Sequence, residues 1–156
     1  MSDPIIAYRG TVYPWQCDHM GHMNTMWYAG RFDEASWQLL SVLGLTAARL
    51  RDAHCGMAAV EQQTRYMREL RAGDPITVRS TVVEIGDKSI RLKHEMTNDD
   101  RMEVAATSVI VAVHFDTTIR KSRVLPADVR TRALQMIGAE SLLSNGAAVP
   151  AGETLQ

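Results

Sequence analysis

Residues 15–43 read WQCDHMGHMNTMWYAGRFDEASWQLLSVL, and the change of character at Asn24 decides how the rest of the chain is read. From Asn24 onward, Tyr28, Phe32, Ala35, Leu39 and Leu43 recur at the three- and four-residue spacing of one helical face. Asn24 is a good N-cap, Asp33 and Glu34 fall in the early turns, and Gly44 supplies a stop. The apolar face is wide and opens with aromatics, so this helix is expected to lie buried against a sheet. Before the cap, residues 15–24 place an acid, two histidines, an amide and a glycine in one short loop. Buried polar groups must each find a partner, and exposed ones have no need of Trp15, Met20 and Met23 between them. The loop therefore reads as an active site.

Working outward, Ile5 to Tyr13 alternates as a first strand, which Pro14 ends because it cannot donate to a sheet ladder. Thr46 to His54 predicts a short second helix capped by Thr46. Beyond Met57 the texture turns strand-like, over Met57–Leu70, Ile76–Ile85, Ser89–Thr97 and Met102–Phe115. Ala72-Gly73-Asp74-Pro75, Gly86-Asp87-Lys88 and Asn98-Asp99-Asp100 have the composition of tight turns between antiparallel strands, so the four runs predict a meander. Ile90, Leu92, His94 and Met96 share one face and Arg91, Lys93 and Glu95 the other, a dry side and a wet side. Pro126 opens a last helix through about Ile137, and residues 138–156 read as a loosely ordered tail. The expected class is α+β, an antiparallel sheet around one long helix.

At 156 residues the chain suits a single domain spanning 1–156. Its formal net charge of -1 gives no general attraction to nucleic acid or an anionic membrane surface, and a small-molecule substrate fits better. Cys17 and Cys55 form no CxxC motif and the N-terminus lacks the features of a signal peptide, so a reducing cytoplasm is the expected location. No apolar run approaches the roughly 18 residues of a membrane span.

The motif Asp18-His19-Met20-Gly21-His22-Met23-Asn24, a D-x-x-G-H-x-N pattern followed by Tyr28 and Phe32-Asp33-Glu34-Ala35, resembles the hotdog-fold acyl-CoA thioesterases of the 4-hydroxybenzoyl-CoA thioesterase-like group. Arg71-Ala72-Gly73-Asp74-Pro75-Ile76 is similar to a turn between strands in that group, and the resemblance spans roughly residues 5–137. It implies a hotdog fold, a curved antiparallel sheet wrapped around a long central helix. It also implies an acyl-CoA substrate and a homo-oligomer, dimer or tetramer, paired through an edge strand; no cofactor or metal is expected. Asp18 falls on the acid that acts as nucleophile or general base, and Thr25 on the helix-start position whose N–H polarises the thioester carbonyl. Gln16 stands where many relatives carry a further Asp or Thr.

Thioester hydrolysis needs a base or nucleophile beside the carbonyl carbon and a donor for the oxygen that gains charge, and a helix N-terminus supplies such donors. Asn24 as cap would aim the amides of Thr25 and Met26 at the pocket. Gly21 would let the backbone approach the thioester, and His22 and Asn24 would shape the loop or bind carbonyl and water; the alternatives are an Asp18 and Asn24 that only tie a turn and cap the helix, and a His22 that is a buried structural imidazole. Trp15, Trp27 and Tyr28 are candidates for an acyl pocket, although aromatics at this spacing are usually core. Glu61 is a reserve acid. Arg65, Arg68, Arg71, Arg91 and Lys93 would meet coenzyme A phosphates or form solvated faces. His19 is expected to face solvent and Cys17 to be structural. Two other classes stand beside this one: a non-catalytic acyl-CoA or acyl-carrier binding module, and a metal-dependent hydrolase using Asp18, His19 and His22, whose spacing is not that of a zinc helix.

Overall fold

The computed structural model describes residues 3–145, with side chains described through Gly138. Strand β1 (Ile5–Thr11) leads through a 3-10 turn (Pro14–Gln16) and the motif loop into helix α1 (Thr25–Val42). Helix α2 (Ala47–Asp52) follows, then strands β2 (Cys55–Tyr66), β3 (Pro75–Ile85), β4 (Ser89–Asn98), β5 (Glu103–Asp116) and β6 (Lys121–Ser122), and helix α3 (Ala127–Asn145). The sheet runs β1-β3-β4-β5-β2, antiparallel throughout, with β6 pairing β5.

Helix α1 begins and ends as its residues demand. The Asn24 Oδ1 accepts the Met26 N–H at 3.1 Å. At the other end Gly44 takes a φ of +95°, in the region that favours glycine, and the Leu45 N–H turns back to the Leu40 carbonyl. Tyr28, Phe32, Ala35, Leu39 and Leu40 are buried on the face that meets the sheet. The apolar interior has two parts, one around Tyr28 and Phe32 against Val78 and Met96, the other around Leu39 and Leu43 against Val82, Ile90 and Leu92. Helix α3 adds Val129, Ala133 and Met136 to the second. Among the described residues no helix is long and apolar enough to cross a membrane.

His94 sits at 0 % exposure between α1 and the sheet. Its Nδ1 lies 2.6 Å from the Ser80 Oγ and its Nε2 2.9 Å from the Ser36 Oγ, while the Ser36 hydroxyl donates to the Phe32 carbonyl at 2.9 Å. Since Ser36 has one hydrogen and gives it to Phe32, it must accept from His94, which fixes the proton on Nε2 and leaves Nδ1 accepting from Ser80. The chain of donors ties α1 to β3 and β4 with every member satisfied.

Four expectations need correction. The strand runs do not form a four-strand meander: β3, β4 and β5 are consecutive neighbours, but β2 lies beyond β5 at the far edge. The β2 strand also stops at Tyr66, and residues 67–74 are the crossover that a tight turn would have forbidden. Gly73-Asp74 pairs with Val12 of the first strand's end, with Val12 N–H to Asp74 carbonyl at 2.9 Å and Gly73 N–H to Val12 carbonyl at 2.8 Å. Helix α3 continues through Gly138 to Asn145, so the expected tail is helical over 138–145, and its remainder, 146–156, lies outside the described residues. Finally, β1 ends at Thr11 rather than Tyr13.

Candidate active site

The motif loop is held by its own backbone. The Asp18 N–H donates to the His22 carbonyl and the Gly21 N–H to the Asp18 carbonyl, both at 3.0 Å, closing a turn that needs Gly21 at φ +79°. Gln16, buried, accepts the Tyr13 N–H on its Oε1 at 2.9 Å and the Asn24 N–H on its carbonyl at 2.8 Å. Met23 donates to the Leu70 carbonyl at 2.7 Å, which lays the segment after β2 across the loop. That segment is pinned by the Met67 and Arg68 N–H groups on the Ala105 carbonyl.

Between them lies a cavity of about 320 Å³ lined by Asp18, Met20, His22, Met23, Asn24, Thr25, Tyr28, Tyr66, Met67, Arg68 and Glu69. The Asp18 Oδ1 accepts the Met20 N–H at 2.9 Å, and its Oδ2 accepts the Asn24 Nδ2 at 3.1 Å. These donors hold the Asp18 carboxyl below its ordinary value, the Met20 N–H most of all, with Asn24 and the nearby His19 and His22 adding to it against a partial desolvation. Asp18 is therefore a carboxylate at neutral pH. Asn24 does two things at once, since its amide nitrogen holds Asp18 while its oxygen caps α1.

The cap spends the Met26 amide, which the sequence had assigned to the pocket; Thr25 lines the cavity, and its N–H has no partner among the described residues. His22 places Nε2 2.9 Å from the Glu69 Oε2. Tyr28 is buried and meets Tyr66 edge to face, ring centroids 5.1 Å apart at 90°. Burial, and then the neighbouring Tyr66, push the Tyr28 hydroxyl up to about 12, so it stays a neutral phenol.

Of the residues singled out from sequence, Asp18, His22, Asn24, Thr25 and Tyr28 thus share one cavity. Gly21 shapes the turn and does not line it. Trp15 is 67 % exposed and stacks on Tyr13 outside the cavity, with ring centroids 4.4 Å apart. Trp27 packs against the core with the Arg31 guanidinium over its ring. Glu61 is exposed midway along β2, also outside the cavity. The second acid that lines the cavity, beside Asp18, is Glu69, which sequence reasoning missed together with Tyr66 and Met67. The available signal was the loss of alternation at Met67-Arg68-Glu69, where the strand ends. His19 is exposed, and Cys17 offers its thiol weakly to the Tyr13 carbonyl. Among the described residues no three His, Cys, Asp or Glu side chains are grouped to hold a metal ion.

The sequence profile of the thioesterase-like superfamily matches residues 12–133. An L-carnitine dehydrogenase/betainyl-CoA thioesterase from Agrobacterium fabrum is 31% identical over 123 residues, covering 79% of this chain; the match spans only 25% of that longer protein. Among solved structures, a Staphylococcus aureus protein in complex with CoA aligns with a TM-score of 0.79 at 22% identity, over 88% of this chain and 89% of that one. A 1,4-dihydroxy-2-naphthoyl-CoA thioesterase from Synechocystis aligns with a TM-score of 0.74 at 17% identity, over 84% and 96%. The two structural likenesses speak for the fold, and the profile and the Agrobacterium match speak for the family. The chain belongs to the thioesterase-like superfamily and has the hotdog fold.

Proposed function

We propose that the protein hydrolyses an acyl-CoA thioester to the free acid and coenzyme A, with Asp18 as general base or nucleophile. The observation that carries this reading is the pairing, in one cavity wall, of an ionised Asp18 with the unspent Thr25 amide at the start of α1. A thioester lodged between them meets both requirements of the chemistry. The carboxylate removes a proton from water as the oxygen attacks the carbonyl carbon, or attacks that carbon itself to form an anhydride that water then opens. In either course negative charge develops on the carbonyl oxygen, where the Thr25 N–H and the positive end of the helix receive it. The C–S bond then breaks and coenzyme A leaves as the thiolate.

Betainyl-CoA is the first substrate to test, because the Agrobacterium relative carries that activity in its name. Two copies pair along the free edge of β2, where Val60 stands 61 % exposed at a bulge in the register. Both cysteines are free, which suits a reducing cytoplasm.

The test is coenzyme A release over a panel of acyl-CoAs by wild type and Asp18→Asn. A positioned carboxylate is worth about 10²–10⁴-fold, so the variant should lose at least a hundredfold in kcat. Near wild-type turnover by Asp18→Asn on every hydrolysed thioester would remove Asp18 from the mechanism. Tight binding with no thiol release by wild type would return the binding module as the better account.

A further inference from the structure

Coenzyme A is common to every acyl-CoA, so selectivity must come from what the cavity does to the acyl group. Two carboxylates line it, Asp18 and Glu69, against one guanidinium, Arg68, whose Nη1 is donated to the Met67 carbonyl at 3.0 Å. His22 adds a ring nitrogen already engaged with Glu69 at 2.9 Å. Apart from Asn24 and Thr25 at the start of α1, the rest of the wall is soft and apolar: Met20, Met23 and Met67, with the two tyrosine rings. Tyr28 is buried and holds Tyr66 by an edge contact while leaving Tyr66 51 % exposed, so one aromatic surface is fixed in place and open.

This combination selects by exclusion. An anionic acyl group would face two carboxylates. A plain hydrocarbon would desolvate them with no return. A primary ammonium has three N–H groups to satisfy, and the carboxylates that would accept them are already engaged, Asp18 by the Met20 N–H and the Asn24 amide and Glu69 by His22. A quaternary ammonium has no N–H to satisfy, presents methyl groups to thioethers and aromatic carbon, and carries a diffuse positive charge drawn to a ring face and a carboxylate.

We propose that the acyl group of the substrate bears a quaternary ammonium close to the thioester, recognised by the open Tyr66 ring and the Glu69 carboxylate. This rests on the reading of the Asp18 cavity as the thioesterase site, and it adds Tyr66 and Glu69 as the residues that determine specificity.

The experiment compares kcat/KM for betainyl-CoA with that for 3,3-dimethylbutyryl-CoA, which has the same shape with carbon in place of the charged nitrogen. Wild type should favour the cation at least tenfold, and Tyr66→Leu and Glu69→Gln should each shrink that ratio by roughly three- to tenfold, the range a cation over a ring or beside a carboxylate supports. Equal rates on the two thioesters would overturn the proposal. So would a ratio that survives both substitutions, or one that falls instead with Asp33→Asn, whose carboxylate lies with Trp37 in a smaller recess of about 90 Å³ farther along α1. Cleavage of other acyl-CoAs with neither of these touched would also overturn it while leaving the thioesterase reading intact. Failure to cleave any acyl-CoA would end both.

Discussion

Acid should unfold this protein through a residue far from the Asp18 loop. Burial pushes the His94 imidazole down to about 4, from an ordinary value of 6.5. The sign follows from linkage. As pH falls below 6.5 the unfolded chain takes up a proton that the folded chain refuses until about pH 4, so the unfolded state binds more protons across that window and stability drops with pH. At pH 4.5, two pH units below the ordinary value, the loss is roughly 2–3 kcal/mol relative to pH 7.5, and above pH 7 it vanishes. His94→Gln provides the control, because its amide can reach Ser36 and Ser80 but does not titrate. Urea unfolding at pH 7.5, 5.5 and 4.5, at one protein concentration, should show wild type losing about 2–3 kcal/mol more than the variant over that span. The absolute stability of the variant does not matter, since every other ionisable group is common to both proteins. Parallel stability profiles for the two proteins would refute the account of His94 as a buried neutral imidazole.

Asn24→Ala removes the cap of α1 and the side-chain donor of Asp18 together, so thermal or urea unfolding should report a loss of about 1 kcal/mol. In the same variant the acid limb of the kcat/KM profile should move to higher pH, because a group that lowers the Asp18 carboxyl has gone; an unmoved limb would separate Asp18 from the titration. Val60→Lys places a charge on the free β2 edge and should convert a dimeric wild type to monomer by light scattering, whereas a wild type that is monomeric at tens of micromolar would refute pairing along that edge.

What the sequence could show was whatever is set by a few neighbouring residues. Asn24 capping α1, Thr46 capping α2 and Gly44 ending α1 are local hydrogen-bond and dihedral events, and each stands where its residue type placed it. The dry face of β4 was equally legible, since alternation is local too. Strand order was not. A run of strands joined by turn-like residues reads as a meander, and only the tertiary pairing of Gly73-Asp74 with Val12 shows that the segment after β2 crosses the sheet instead of turning back. The same crossing delivers Tyr66, Met67 and Glu69 to Asp18, across a sequence separation that no motif records. His94 was visible as one more residue on the apolar face; its partners Ser36 and Ser80 lie on two other elements, so its role could not be read from its neighbours. Trp15 misled for the opposite reason, because a large apolar side chain beside an acid suggests a pocket wall, yet stacking on Tyr13 already covers one of its faces.

The electrostatics of Asp18 sharpen the argument about substrate. Donors from Met20 and Asn24 that keep a carboxylate ionised also make it a weaker base, and general-base efficiency falls as the base becomes weaker. On the proposed reading, stabilising the oxygen anion then matters alongside pulling the proton. One free amide and a helix end supply part of that, typically about 10²–10³-fold for a single well-placed donor. A quaternary nitrogen one carbon from the thioester would supply a further share from within the substrate, withdrawing electrons from the carbonyl and lying close to the charge as it forms. On the proposed reading, then, the weak base and the cationic acyl group belong together. A neutral acyl-CoA would lose the ammonium's contacts with Tyr66 and Glu69, which act largely on binding, and its assistance at the carbonyl, which acts on the chemical step. Its deficit against betainyl-CoA should therefore appear in kcat as well as in KM.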